Sequence, residues 1–182
     1  MMITMATRVP DVKLIKPKVF EDQRGFFYES YNYKTLQEKY GISPVFVQDN
    51  HSCSQQNVLR GLHYQIQQPQ GKLVRAVVGT IFDVAVDLRS SSPTFAKWVG
   101  YTLSAENKHQ LWIPSGFAHG FLVLSETAEV LYKTTDYYAP QHERTLLWND
   151  PDLAIDWPIS EAPILSSKDK EGKRIKEAEL LS

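Results

Sequence analysis

The amino-acid sequence predicts a mainly β protein, an antiparallel jelly-roll barrel or sandwich with a few short helices. Three observations carry this. Short runs rich in Val, Leu, Phe, Trp and Tyr follow one another between residues 45 and 134, with turn residues between them. The run "FDVAVDL" alternates strictly, with Val84, Val86 and Leu88 on one face and Asp83, Ala85 and Asp87 on the other. No fixed-period repeat, low-complexity run or linker breaks the 182 residues, so residues 1–182 read as one domain with room for a sizeable core.

In chain order, a helix is expected over Tyr33–Tyr40, with Asn32 as its N-cap and Gly41 just past its end. Strands are expected at 45–48, 58–64, 73–78, 81–88, 98–103, 111–113, 120–124 and 130–134. Gly79-Thr80 reads as a two-residue hairpin turn between two of them. The proline-rich stretch 150–163 is expected to be irregular and to wrap the outside. A second helix is expected in "EGKRIKEAELL" at 171–181.

Composition narrows the function classes. The net charge is −1 and no charge block precedes the C-terminal tail, which argues against broad nucleic-acid binding but leaves room for a local anion pocket. Cys53 is the single cysteine and cannot form an internal disulfide, as befits a reducing, cytoplasmic setting. It reads as a small packed or half-exposed residue. The opening residues lack the basic and apolar regions of a signal peptide, and no apolar run approaches the length of a membrane span, so no membrane association is expected.

Certain polar residues stand where a core would take leucine. In "VLRGLHYQ", Arg60 and His63 interrupt an apolar strand. A regular strand sends residues three apart to opposite faces, so these two can share a site only if the strand is irregular at Gly61. "WIPSGFAHGF" contains P-x-G-x-x-H ending at His119 and resembles the second motif of the cupins, which are small β-barrels. A metal-binding cupin also carries H-x-H and a glutamate in its first motif. Here the equivalent stretch is His63-Tyr64-Gln65, followed by no glutamate before Lys72, so no metal is expected. Lys72 opens an apolar strand, Tyr132 sits in another, and Arg24-Gly25 precedes two phenylalanines. Singly, each of these has an ordinary structural explanation.

Together they form an ordered set: "FEDQRGFFYE" at 20–29, "QDNHS" at 48–52, "LRGLHYQ" at 59–65, "GKLVRAVVGTIFDVAVDLR" at 71–89, "WIPSGFAHGF" at 112–121, "YKTTDYY" at 132–138 and "LSSKD" at 165–169. This set resembles the dTDP-4-dehydrorhamnose 3,5-epimerase family. The resemblance departs mildly at Cys53, where many relatives carry a basic residue. It implies a 4-keto-6-deoxy sugar on thymidine diphosphate as substrate, and epimerisation through an enolate without a cofactor. It assigns His63 as base, Tyr132 as acid, Asp169 as the partner of His63, and Lys72 as positive charge near the enolate oxygen. Arg60 and Lys168 would serve the diphosphate or neighbouring polar groups. Arg24, Glu29, Gln48, Asp49, Asn50, His119 and Glu143 match positions lining the substrate site. Tyr138 would stack on thymine, with Phe20 and Phe27 helping to enclose it. A homodimer is implied, with N-terminal strands crossing so that Arg24 and Glu29 serve the neighbouring site. Three other readings stand beside it: an epimerase inverting one carbon only, a non-catalytic binder of sugar nucleotides, and a metal-dependent cupin enzyme.

Overall fold

The computed structural model describes residues 3–5 and 7–180. The strands are β1 (Ile3–Met5), β2 (Lys13–Lys16), β3 (Phe20–Asp22), β4 (Gly25–Phe27), β5 (Gln48–Gln55), β6 (Leu59–Gln65), β7 (Lys72–Val78), β8 (Thr80–Asp87), β9 (Trp98–Ser104), β10 (Gln110–Ile113), β11 (Phe117–Val123), β12 (Thr127–Thr134) and β13 (Glu143–Thr145). The helices are α1 (Tyr33–Tyr40) and α2 (Ser167–Lys170), with 3-10 turns at Pro140–His142 and Ile175–Glu177.

Two antiparallel sheets face each other. One has the order β1-β2-β10-β7-β12-β5, the other β13-β6-β11-β8-β9, and β3-β4 form a separate hairpin. From β5 onward the chain changes sheet at every connection except β8–β9, which gives the expected jelly-roll layout. Between the sheets, inward-facing residues interdigitate: Leu14, Val74, Ala76, Leu111 and Val130 from one, and Ile81, Ala85, Val99, Leu103, Phe117 and Val123 from the other. Each Val, Leu, Ile or Phe among them contributes about 1.5–3 kcal/mol when fully buried.

Both outer faces carry a cover. On the larger sheet, α1 lays Leu36 and Tyr40 over Ile15, Leu73 and Trp112. The helix starts where Asn32 accepts a hydrogen bond from the Thr35 N–H at 3.0 Å, and it ends at Gly41 with φ 65°. On the smaller sheet, Leu59, Leu62, Val84, Val86 and Leu122 are covered by Leu146, Leu153, Trp157 and Ile175 of the C-terminal segment. The irregular stretch 150–163 therefore does wrap the outside, held by apolar anchors and by the Trp157 Nε1–H donating to Trp148 O at 2.8 Å.

Four local expectations are corrected. Gly79 is not a hairpin turn, because β7 and β8 belong to different sheets. It is a corner with φ 68°, where a Cβ would stand 2.0 Å from Thr127 O. The stretch 45–47 has no strand; the strand is β5, whose "QDNHSCSQ" is too polar to announce itself. Of the helix expected over 171–181, residue 181 lies outside the described residues, and the stretch 171–180 forms no long helix. Its backbone bonds instead to the body, with the Ile175 N–H donating to Asp150 Oδ2 at 2.7 Å and the Lys173 N–H to Thr145 O at 3.0 Å. Cys53 is exposed rather than packed. Among the described residues, no helix is long and apolar enough to cross a membrane.

Candidate active site

β6 and β11 pair with a slip. His63 stands opposite His119, while Arg60 stands opposite Phe121. Gly61 and Leu62 therefore face Gly120 alone, a bulge of one extra residue on β6. The slip resets the alternation. Leu59, Leu62 and Tyr64 all enter the outer core of the smaller sheet, while Arg60, His63 and Gln65 all line a cavity inside the sandwich. Gly61 has φ 114°, and a Cβ on it would lie 2.6 Å from His119 O and 2.7 Å from Gly120 Cα. Gly61→Ala is therefore expected to cost at least about 1–3 kcal/mol from backbone conformation alone, with the steric clash adding to it. Urea denaturation would measure this, and unchanged stability would contradict the role given to the bulge.

The cavity has a volume of about 330 Å³ and is the polar end of the same interior that is apolar further along. On β7, Lys72 faces the cavity while Val74 and Ala76 face the core. On β12, Tyr132 does so while Ala128 and Val130 face the core. Gln48, Asn50, His119, Tyr138, Glu143 and Lys168 complete the expected residues on its walls. Ser52, Tyr64, Gln65, Gln70 and Phe121 line it as well. Ser52 was legible in principle, since it continues the every-second-residue series of Gln48 and Asn50; Gln65 and Gln70 have no signal beyond their neighbours.

Other expected residues lie elsewhere. Asp49 points to the outer face, as alternation along β5 requires, and its Oδ2 accepts from Lys133 Nζ at 2.8 Å. Phe20, Arg24 and Phe27 belong to the β3–β4 hairpin and are exposed outside the cavity of their own chain. There Arg24 forks onto the Asp22 carboxylate, Nε–H donating to Oδ1 and Nη2–H to Oδ2. Glu29 accepts from Asn32 Nδ2 at 2.9 Å just before α1.

His63 is held from behind. Its Nε2 meets Asp169 Oδ1 at 2.5 Å, and Asp169 is only 2 % exposed. Asp169 reaches this point because Ser166 caps α2 and also donates its hydroxyl to Asp169 Oδ2 at 2.7 Å. The Gly61 N–H adds a bond to Oδ1 at 3.3 Å, so the bulge serves this pair too. Burial alone would push the Asp169 carboxyl up, but the bonds from His63, Ser166 and Gly61 outweigh it and hold it below its ordinary value.

The remaining walls carry distinct charges. Burial pushes the Lys72 ammonium down to about 8, although Asp83 and Glu143 pull it back up. Burial pushes the Tyr132 phenol up, with Arg60 opposing and Glu143 adding to the rise. Tyr132 thus stays a neutral phenol at neutral pH. Burial would also raise Glu143, but Lys168, His63 and Tyr138 hold it below the usual carboxylate range. Glu143 Oε2 accepts from Tyr138 Oη at 2.9 Å and from Lys168 Nζ at 2.8 Å. Arg60 is steadied by its Nε–H donating to Ser54 Oγ at 3.0 Å. His63 stands on the smaller sheet and Tyr132 on the larger one, so an imidazole and a phenol flank the cavity from facing walls.

Comparison with known proteins places the chain in a family. The family model described as dTDP-4-dehydrorhamnose 3,5-epimerase matches residues 6–177. A dTDP-4-dehydrorhamnose 3,5-epimerase of Pseudomonas aeruginosa is 64% identical over 176 residues, covering 96% of this chain and 97% of that protein. The enzyme of the same description from Salmonella typhimurium is 61% identical, with 93% of each chain covered. The crystal structure of a dTDP-6-deoxy-D-glucose-3,5-epimerase from Legionella pneumophila, in complex with dTDP-4-keto-L-rhamnose, superposes with a TM-score of 0.96. It is 54% identical, and the match covers 98% of this chain and 95% of that one. With a family-wide match, near-complete coverage and one shared fold, the chain belongs to the dTDP-4-dehydrorhamnose 3,5-epimerase family.

Proposed function

We propose that the chain inverts C3 and C5 of dTDP-4-dehydro-6-deoxy-D-glucose, giving dTDP-4-dehydro-L-rhamnose, with His63 as base and Tyr132 as acid. The observation that carries this is their placement on facing walls of one cavity. Inverting a carbon next to a ketone requires removing its proton on one face and returning a proton on the other. The C–H electron pair moves to form a C=C bond, and the C4 carbonyl oxygen takes the charge as an enolate. His63 accepts the proton through the ring nitrogen not bonded to Asp169, and Asp169 stabilises the resulting imidazolium. Lys72 supplies the charge for the enolate oxygen from a buried position, where an ammonium counts for more than in water. Tyr132 then gives its phenolic proton to the opposite face of the carbon, and the enolate electron pair forms the new C–H bond. Solvent resets both side chains for the second carbon.

The nucleotide follows from the cavity rim. Tyr138 offers an exposed ring for stacking on thymine, and Lys168 and Arg60 offer positive charge for the diphosphate. Phe20, Arg24, Phe27 and Glu29 serve the site of a second copy, in a homodimer. The exposed phenylalanines of the β3–β4 hairpin, Phe27 being 68 % exposed, support this because a lone chain leaves them in water. Sedimentation is expected to give about twice the 20.8 kDa chain mass, and a monomer at working concentration would remove these residues from the site.

Incubation with the 4-keto sugar nucleotide in deuterium oxide tests the function directly. Label at both C3 and C5 is expected. Label at one carbon would make the chain a single-carbon epimerase, and binding without label would make it a binding protein.

A further inference from the structure

A second histidine–carboxylate pair lies behind the cavity. Asp83 sits on β8 with no exposed surface, facing inward like Ala85 two residues on. Its Oδ1 meets His119 Nε2 at 2.7 Å. Its Oδ2 is buried and has no hydrogen-bond partner. Leaving a carboxylate oxygen bare inside a protein is unfavourable unless a cation compensates through space. Lys72, itself buried, faces inward from the opposite sheet and lines the same cavity as His119.

We propose that Asp83 is a positioning residue for the reaction: it holds His119 as the neutral Nε2–H tautomer, and its negative charge keeps Lys72 an ammonium. His119 then turns a bare ring nitrogen to the cavity. That nitrogen can accept a hydrogen bond from a sugar hydroxyl but cannot donate one to the enolate oxygen, which leaves the oxygen to Lys72. The inference rests on the epimerase reading of the cavity.

The charges around the two groups are consistent with this division. Lys72 is faced by Asp83 from β8, Glu143 from β13 and Lys168 from α2, and His119 by Asp83, Lys72 and His63. Glu143 accepts from Lys168 and Tyr138 through Oε2, whereas Asp83 is fully buried and its Oδ2 has no hydrogen-bond partner, so a nearby cation matters most to Asp83. Burial pushes His119 below its ordinary value despite Asp83, which favours the neutral ring.

Two measurements test it. Nitrogen-15 spectra of histidine-labelled wild-type protein, with the His119 signals assigned through His119→Gln, should show the Nε2–H tautomer at pH 7. The Nδ1–H tautomer or an imidazolium would overturn the proposal. No substrate is needed, so this result is independent of whether the function is right and of whether any Asp83 variant folds. The second is the pH profile of kcat/KM for Asp83→Asn, whose amide oxygen can still accept from Nε2–H while the charge is gone. Wild-type activity should fall as pH rises through about 8, as Lys72 loses its proton. Tyr132 is pushed up from the ordinary phenol value and ionises well above this range. Removing the anion weakens the ammonium, so the basic limb should move down by about one pH unit. A limb that stays in place while activity and melting temperature fall at every pH would make Asp83 merely structural.

Discussion

His63→Ala is expected to stop epimerisation and solvent exchange at both carbons, while binding of thymidine diphosphate survives. A positioned general base contributes about 10²–10⁴-fold, and in the proposed reaction the same imidazole serves both C3 and C5, so the loss should be at least of that order for each. The fold should tolerate the change. His63 faces the cavity, whereas its strand neighbours Leu62 and Tyr64 are the ones packed in the outer core. Asp169 keeps its bonds from Ser166 and Gly61 when the imidazole is gone. Mass spectrometry of substrate in deuterium oxide and calorimetry with the nucleotide separate chemistry from binding. Turnover within tenfold of wild type would remove His63 from the mechanism.

Tyr132→Phe should separate two rates that normally travel together. The substitution removes one hydroxyl and keeps a ring that packs beside the inner core and lies 6.4 Å from the His119 ring. In the proposed mechanism His63 still takes the proton and the enolate still forms, but the opposite face now lacks its donor. The proton returns from the side it left, so substrate is labelled without being inverted. Product formation is expected to fall by about 10²–10⁴-fold, the usual worth of a positioned acid, with exchange falling much less. A coupled reductase assay reads the product and mass spectrometry reads the label. Full epimerase activity would end the claim that Tyr132 is the acid.

What could be read before the structure follows from what strands and helices require of their residues. β6 to β12 are dense in branched and aromatic side chains, and the cap at Asn32 with the stop at Gly41 marks α1 from both ends. β5 was missed because its inward residues, Gln48, Asn50, Ser52 and Ser54, serve a polar interior and carry no hydrophobic signature. β2, β3, β4 and β13 run to four residues or fewer and lack the unbroken apolar run that marks the equally short β10. The bulge at Gly61 was legible, since two polar residues three apart on an apolar strand demand an irregularity. Most of the cavity walls were named through the family resemblance, and His63 with Asp169 behind it is the clearest case. Asp83 escaped as a site residue because its inward neighbours give no hint that their face ends in a polar cavity. Asp49 was misplaced because a motif groups contiguous residues, whereas a strand divides them between two faces.

The contact between His63 and Asp169 joins points 106 residues apart, and the later one is held by a tail whose anchors are Leu146, Leu153, Trp157 and Ile175. If His63 and Asp169 act as proposed, catalytic competence therefore requires the docked tail as well as the two closed sheets. A folding intermediate that has closed both sheets but not yet docked the tail would look native in strand content and remain catalytically silent. In refolding from denaturant, recovery of activity should accordingly trail recovery of the β signal, and the lag between them would time the last stage of assembly.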